Sequence, residues 1–493
     1  MTERYETVAI ADLMQETGVG FGTSGARGRV EAMTDRVCYA YAAAFLQHLE
    51  ADGRGPGRLV LAGDLRPSTP RIMAAVARAA ADRACEVIHC GTVPSPAVAL
   101  FGMTAGLPGV MVTGSHIPDD RNGIKFTTPR GEILKADEEG IRCQRVPIPA
   151  DRFDASGAFT AAAPLPGVSS DALDRYVRRY LDFFPANALA GLRVGLYEHS
   201  SVARDALRAV LDGLGAEVVA LGRSERFVPV DTEAIRPEDV ALAAGWAAEG
   251  GFDALVSADG DGDRPLVGDE RGRWLRGDVT GILCARYLGA DRVVTPVSSN
   301  TAVERCGWFE RVRRTRIGSP YVIEGMQAEL DGDARVVGYE ANGGFLTASP
   351  IKRGGRRLEA LPTRDAVIVA VALLAAARQR GVALSALLGE LPARYTASDR
   401  VKAFPTEVAR ARIERMRSAG PAGVPGALGE DFGRAVAMDA TDGLRITFDT
   451  GEVVHLRPSG NAPELRCYTE ADTAERARDM TRRCLQLMEA WRE

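Results

Sequence analysis

Lysine is almost missing from this 493-residue chain. Only Lys125, Lys135, Lys352 and Lys402 occur, so 57 of the 61 basic residues are arginine. A bias of that size reads as genome composition, and it makes a surviving lysine a candidate for what arginine cannot do, chiefly giving up a proton near neutral pH. Lys125 lies in a glycine-punctuated polar segment that suits such a role, whereas Lys135 and Lys402 read as ordinary surface residues. Paired cysteine motifs are missing too. The eight cysteines, from Cys38 to Cys484, are scattered without a Cys-x-x-Cys, which points to buried thiols rather than a zinc site or a disulfide framework. No basic block with interleaved aromatics suggests a nucleic-acid partner, and the net charge is only −5. The opening Met-Thr-Glu-Arg-Tyr-Glu lacks a basic-then-apolar signal, and the longest apolar run, near Ala366 to Ala377, is too short for a bilayer. These absences predict a cytoplasmic enzyme with neither membrane nor nucleic acid as partner. At ~100 to 150 residues per domain, the length allows three or four domains.

The run Asp259-Gly260-Asp261-Gly262-Asp263-Arg264 is the most informative feature present. Three carboxylates on alternate residues repel one another unless a cation sits among them, and oxygen-only ligands suit Mg²⁺ or Ca²⁺. Phe252 to Ser257 reads as a buried strand leading into the run, and the intervening glycines let the backbone bend so that the carboxylates converge. An EF-hand would share this Asp spacing and place Glu270 at its twelfth position, but the sixth is Arg264 where that loop needs glycine. A solvated acidic hairpin is the other reading, since Asp-Gly pairs are common in such turns. Arg264 argues against it: a guanidinium beside a metal makes sense when an anion such as phosphate lies between them.

An α/β unit recurs along the chain. Arg58 to Ala62 reads as a strand, Thr69 to Ala81 as a helix and Glu86 to His89 as a second strand. The pattern returns with the strand Leu192 to Tyr197, the helix Val202 to Leu214 and the strand Glu217 to Ala220. It comes a third time, with an insertion, from Arg292 to Thr295 through the helix Tyr321 to Leu330 to Arg335 to Val337. Three similar mixed-sheet α/β domains are therefore expected. After them come short strands at Leu444 to Phe448, Val453 to Leu456 and Leu465 to Tyr468 and a long helix Ala471 to Trp491, a smaller α+β C-terminal domain. Seams are expected at Ala161 to Ser170, Arg271 to Asp278 and Ala393 to Phe404. They divide the chain into 1–160, 161–272, 273–392 and 393–493.

Four glycine-rich polar segments fall at the ends of predicted strands. Gly20 to Gly28 offers exposed amides, two hydroxyls and Arg27. Thr113-Gly-Ser115-His116-Ile117-Pro places a serine hydroxyl at the tip of a turn beside an imidazole, with Lys125 nearby. Glu340-Ala-Asn342-Gly-Gly344 sets a carboxylate and an amide where sugar hydroxyls could bind. Arg457-Pro-Ser459-Gly460-Asn461 forms an anion cradle. Any one could be a plain turn; together with the Asp259–Arg264 run these segments make a nucleophile, a metal site, a polyol site and a phosphate cradle around one shared cleft.

On these motifs, in order along essentially the whole chain, the sequence resembles the α-D-phosphohexomutases, which include phosphoglucomutases, phosphomannomutases and phosphoglucosamine mutases. The resemblance implies four domains around a central cleft and a reaction that interconverts hexose 1-phosphate and hexose 6-phosphate through a hexose 1,6-bisphosphate. It implies that Ser115 carries the phosphoryl group. Asp259, Asp261 and Asp263 would hold Mg²⁺ together with a phosphoserine oxygen. Lys125 and Arg27 would flank the reacting hydroxyl, with Lys125 the better general acid or base and His116 adjacent. Arg264, Glu340, Asn342, Arg457, Ser459, Gly460 and Asn461 would bind the hexose phosphate. Three of the loops depart from the family pattern: Ile117 stands for an asparagine, Asn342 and Gly344 for the serine and the histidine of the sugar loop, and Asn461-Ala462 for Thr-Glu. The reaction class survives these changes. Mannose or glucose phosphate is the expected substrate, with phosphoglucosamine mutase or a non-catalytic sugar-phosphate-binding relative as alternatives, and a monomer or dimer is expected.

Overall fold

The computed structural model describes residues 4–22, 25–53, 55, 57–429, 431–459 and 463–492. In the first unit the apolar strand Arg58–Gly63 lies between two parallel neighbours, Glu86–His89 and Gly109–Val112. Arg121–Thr128 returns antiparallel beside Gly109–Val112, and Ala26–Arg29 extends the sheet from its other side. The helices Thr69–Asp82 and Ser95–Ala105 make the crossovers; the first buries Ile72, Met73, Val76 and Ala80, an apolar stripe at helical spacing.

The second unit repeats this topology. Arg193–Tyr197 is flanked by parallel Glu217–Leu221 and Ala254–Ala258, and Pro265–Gly268 returns antiparallel. The third does so again, with Arg292–Pro296 between Arg311–Thr315 and Val336–Tyr339 and with Phe345–Thr347 as the return strand. The repeat therefore contains two crossovers, not one. In the third unit the expected insertion is in fact the strand Arg311–Thr315, hidden by its arginine-rich, partly exposed sequence, and its crossover helix has shrunk to Ala302–Arg305. The helix Ser319–Glu329 corresponds to the second crossover.

One consequence governs the site. In every unit the same connection, from the third parallel strand to the antiparallel return strand, carries a polar motif: 113–120, 259–264 and 340–344. Loops at the carboxyl ends of parallel strands are where α/β sheets bind ligands. A continuous apolar core, including Val98, Tyr176, Val194, Val256, Ile282, Val293 and Val369, runs through all three units and holds them together.

The last unit is built differently. Tyr395–Lys402, Glu464–Ala471, Val453–Pro458, Leu444–Phe448 and Ala435–Asp439 form an entirely antiparallel sheet with the helix Ala474–Ala490 against it. The expected seam at Ala393 to Phe404 is largely the edge strand of this sheet. Its polar, exposed residues read as a linker because an edge strand buries little. Among the described residues no helix is long and apolar enough to cross a membrane.

Candidate active site

The turn at 113–120 is held from beneath by a buried charge network. Thr113 Oγ1 donates to Asp64 Oδ2 and accepts from the Ser115 amide, both at 2.7 Å. Asp64 also ion-pairs with Arg66, whose fully buried guanidinium donates to the carbonyls of Ser115 (3.1 Å), Ile117 and Arg121 (3.2 Å). A Cβ on Gly114 would lie 2.7 Å from that guanidinium, so the turn needs glycine there. These bonds fix Ser115 at φ +57°, a conformation that costs a non-glycine residue ~1–3 kcal/mol and persists only where its surroundings impose it.

The second unit meets this turn head-on. Ser115 Oγ donates to Asp259 Oδ2 at 2.5 Å and lies 3.2 Å from His116 Nδ1. Asp259 Oδ1 accepts the amides of Asp263 and Arg264, each at 3.2 Å. Asp261 Oδ2 accepts from Ser95 Oγ at 2.6 Å and from Lys125 Nζ; Asp263 Oδ2 accepts from Lys125 at 2.8 Å and pairs with Arg364 at 3.0 Å. The remaining oxygens, Asp261 Oδ1 and Asp263 Oδ1, are buried without a hydrogen-bond partner. Ligand oxygens of all three carboxylates lie within 4.8 Å of one another. Two orphaned oxygens in a buried cluster whose candidate ligand atoms are all carboxylate oxygens fit a hard divalent cation, so this group could hold a metal ion. A Cβ on Gly260 would stand 2.5 Å from the Ser115 carbonyl oxygen, and its absence lets the two turns approach.

Burial is the largest influence on each carboxyl, and it acts upward. For Asp259, the neighbouring Asp261 and Asp263 reinforce it, and the carboxyl is pushed well above its ordinary range. For Asp261 it is outweighed by Lys125 and Ser95, and for Asp263 chiefly by Arg364, so both carboxyls lie below that range. Burial and then Arg264 push the His116 imidazole down to about 3 and the Arg27 guanidinium down to about 10.

Most of the expected residues converge. Arg27 lies opposite Gly123 on the strand beside the Lys125 strand. Lys125 itself contacts Asp261 and Asp263. Arg264 lies 3.8 Å from Asp263. Glu340 enters through Arg364, which reaches it at 3.3 Å. Asn342 spends its amide oxygen inside its own loop, accepting from the Gly344 amide at 2.9 Å, while its carbonyl accepts from Thr232 of the second unit at 2.7 Å. Arg457 stands apart on the last sheet, 2.9 Å from Asp442, and the Ser459 amide bonds to the Glu464 carbonyl at 2.8 Å. Gly460 and Asn461, like Thr23 and Ser24 of the first glycine-rich segment, fall outside the described residues. Glu233 marks where the units meet: its carboxyl is raised by burial and then by Asp231, against the opposing fields of Arg276, Arg264 and Arg466.

Ser95, Asp64, Arg66, Asp231 and Arg364 are missed by motif reading. Asp64 and Arg66 directly follow a strand, where ligand-facing loops begin, so their position was a usable signal. Asp231 approaches His116 at 3.9 Å from an irregular loop, and Ser95 and Arg364 each sit at the start of an ordinary helix. Nothing in their spacing marks them.

An alcohol oxygen against oxygen-only metal ligands, ringed by arginines, is the equipment of a phosphoryl-transfer enzyme. Four phosphoglucomutase/phosphomannomutase domain families match in order: α/β/α domain I over residues 18–144, domain II over 174–272, domain III over 276–395 and the C-terminal domain over 407–486. A phosphomannomutase of Sinorhizobium fredii is 46% identical over 464 residues, 93% of this chain and 96% of the relative. Among solved structures, a phosphoglucomutase/phosphomannomutase family protein of Burkholderia thailandensis superposes with a TM-score of 0.71 at 19% identity, over 95% of this chain and 96% of its own. An Aspergillus fumigatus N-acetylphosphoglucosamine mutase, solved with GlcNAc-6P and magnesium, gives 0.57 at 15% identity over 98% and 99%. The chain belongs to the phosphoglucomutase/phosphomannomutase family, within the α-D-phosphohexomutases. It is a hexose-phosphate mutase, an isomerase that works by intramolecular phosphoryl transfer.

Proposed function

We propose that the chain interconverts the 1- and 6-phosphates of mannose or glucose, with Ser115 as the phosphoryl carrier. The observation that carries this is the 2.5 Å contact between Ser115 Oγ and Asp259 Oδ2, which sets a nucleophile from one unit on a carboxylate cluster from another. A hydroxyl oxygen of the bound hexose phosphate bonds to the phosphorus of phosphorylated Ser115, and the P–Oγ bond breaks. The product is a hexose 1,6-bisphosphate and free Ser115. After the bisphosphate turns over, Ser115 Oγ bonds to its other phosphorus and releases the isomeric monophosphate. Lys125 and Arg27 flank the reacting hydroxyl, Lys125 exchanges its proton, and Asp231 orients His116 beside Oγ.

Asp259, Asp261 and Asp263, with a phosphoserine oxygen, would hold Mg²⁺, which when bound neutralises charge on the transferring group. Glu340 and Asn342 face sugar hydroxyls. Arg264 binds the hexose phosphate beside the metal cluster, and the Arg457–Asn461 loop grips the phosphate that is not transferring. The 46%-identical relative named for mannose supports the sugar class.

Coupled assays with mannose 1-phosphate, glucose 1-phosphate and glucosamine 1-phosphate test the reading. Turnover should favour the first two and collapse in Ser115→Ala. Full turnover in Ser115→Ala overturns the carrier assignment, and preference for the amino sugar overturns the substrate class.

A further inference from the structure

The sugar loop ends in Gly344, and the space a side chain would take there is already filled. A Cβ on Gly344 would meet the stem of Arg364, with Cδ at 2.5 Å, Cγ at 2.6 Å and Cβ at 3.1 Å. These are the inner atoms of the arginine, which cannot swing aside as its tip could. Arg364 is 3% exposed, and its two terminal nitrogens reach different loops: Nη1 is 3.3 Å from Glu340 Oε2, and Nη2 is 3.0 Å from Asp263 Oδ2. Both carboxylates are buried as well, so each pair acts with little screening by water. The residue is rooted: its neighbour Asp365 caps the helix Ala366–Arg380 and accepts from the hydroxyls of Tyr176 (2.8 Å) and Tyr180 (2.5 Å).

We propose that Arg364 is a positioning residue that sets the sugar loop against the metal loop, and that glycine at 344 is what makes room for it. Through one planar group, the carboxylate that faces the sugar and a carboxylate of the metal cluster are held at a fixed separation. A lysine has one point of charge and cannot reproduce a two-ended span. Arg364 thereby biases which hexose epimer the loop accepts, without touching the sugar. The proposal rests on the reading of Glu340 as a sugar contact.

The test is a double-variant cycle on the full-length enzyme with Arg364→Gln, Glu340→Gln and their combination, measuring kcat and KM separately for mannose 1-phosphate and glucose 1-phosphate. Arg364→Gln should raise KM ~10-fold and shift the mannose-to-glucose ratio of kcat/KM in the same direction as Glu340→Gln. The epimer ratio of the combination should lie no further from wild type than that of Glu340→Gln alone, because on the sugar side the two act as one unit, while the loss of the Asp263 pair appears in kcat for both sugars alike. Should Arg364→Gln fold poorly, Arg364→Lys and Gly344→Ala supply the same readout, each expected to move the epimer ratio. The proposal is overturned if the single effects on the epimer ratio multiply in the combined variant, or if melting temperature falls while KM and the epimer ratio stay at wild-type values. Phosphate on Ser115, measured in the same wild-type preparation, reports separately on the carrier assignment: its absence would sink that reading and leave the coupling between Arg364 and Glu340 as measured.

Discussion

Ser115 and Arg457 stand at opposite ends of the proposed reaction, and the protein holds them by different means. Ser115 is fully buried, its amide, its carbonyl and its hydroxyl each bonded to a different partner within a network that spans two units. Arg457 lies on an antiparallel sheet with its own core, and its guanidinium contacts Asp442, which in turn accepts the Ile317 amide of the third unit at 2.9 Å. That sheet joins the third unit through Glu470, which accepts from the Thr301 amide at 3.0 Å and from Arg394 at 2.6 Å. The contrast suits a mutase. The transferring end needs sub-ångström placement of oxygen, phosphorus and metal ligands. The gripping end has to accept one bisphosphate in two orientations, which charge and backbone amides can do where sugar-specific contacts would not.

The largest expected effect tests whether the serine turn depends on its buried base. Arg66→Met leaves Asp64 as an uncompensated buried carboxylate and should cost about 3–5 kcal/mol of stability by denaturant titration. A loss under about 1 kcal/mol would mean that the turn holds its shape without the network. Next is Asp261→Asn, which keeps a hydrogen-bonding side chain beside Ser95 but removes a charge from the cluster. It should lower kcat ~10²–10³-fold and raise the Mg²⁺ concentration needed for half-maximal rate, in a metal titration after chelator treatment. An unchanged metal dependence would break the assignment of this end. At the gripping end, Arg457→Lys keeps charge but loses the guanidinium fork, so KM should rise ~10-fold, or ~1.4 kcal/mol, by a similar factor for every hexose phosphate. A change in epimer ratio instead would mean that the last unit reads the sugar. The smallest effect is expected at Glu407, whose pair with Arg410 is exposed on both sides; Glu407→Ala should leave both KM and melting temperature at wild-type values.

Much of this was legible in the chain because the reacting groups occur as short local runs. The Asp259–Arg264 run and the Thr113–Pro118 turn place their chemistry within six residues, and repulsion among carboxylates is an argument that needs no fold. The repeated units were legible where strands are apolar after a leading arginine, as at Arg58–Gly63 and Arg193–Tyr197. They blurred where a strand lies at an edge, as at Arg311–Thr315, because edge strands carry no continuous apolar signature. What could not be read were the partners that arrive through tertiary contact. Ser95 meets Asp261 across 166 positions and Arg364 meets Asp263 from a different unit, and neither lies in a glycine-rich polar segment. The role of Lys125 is a middle case: its scarcity marked it, but its two carboxylate partners lie 136 and 138 positions away.

The central claim is that Ser115 is the atom through which phosphate passes, held for that purpose against the carboxylate cluster. Intact-mass analysis of the purified enzyme, followed by peptide mapping, tests it most directly. The account predicts one phosphate per chain, located on Ser115, lost on incubation with excess hexose monophosphate and absent from Ser115→Ala. A phosphate mapped to another residue, or an active enzyme that carries no phosphate at any point in turnover, would contradict it.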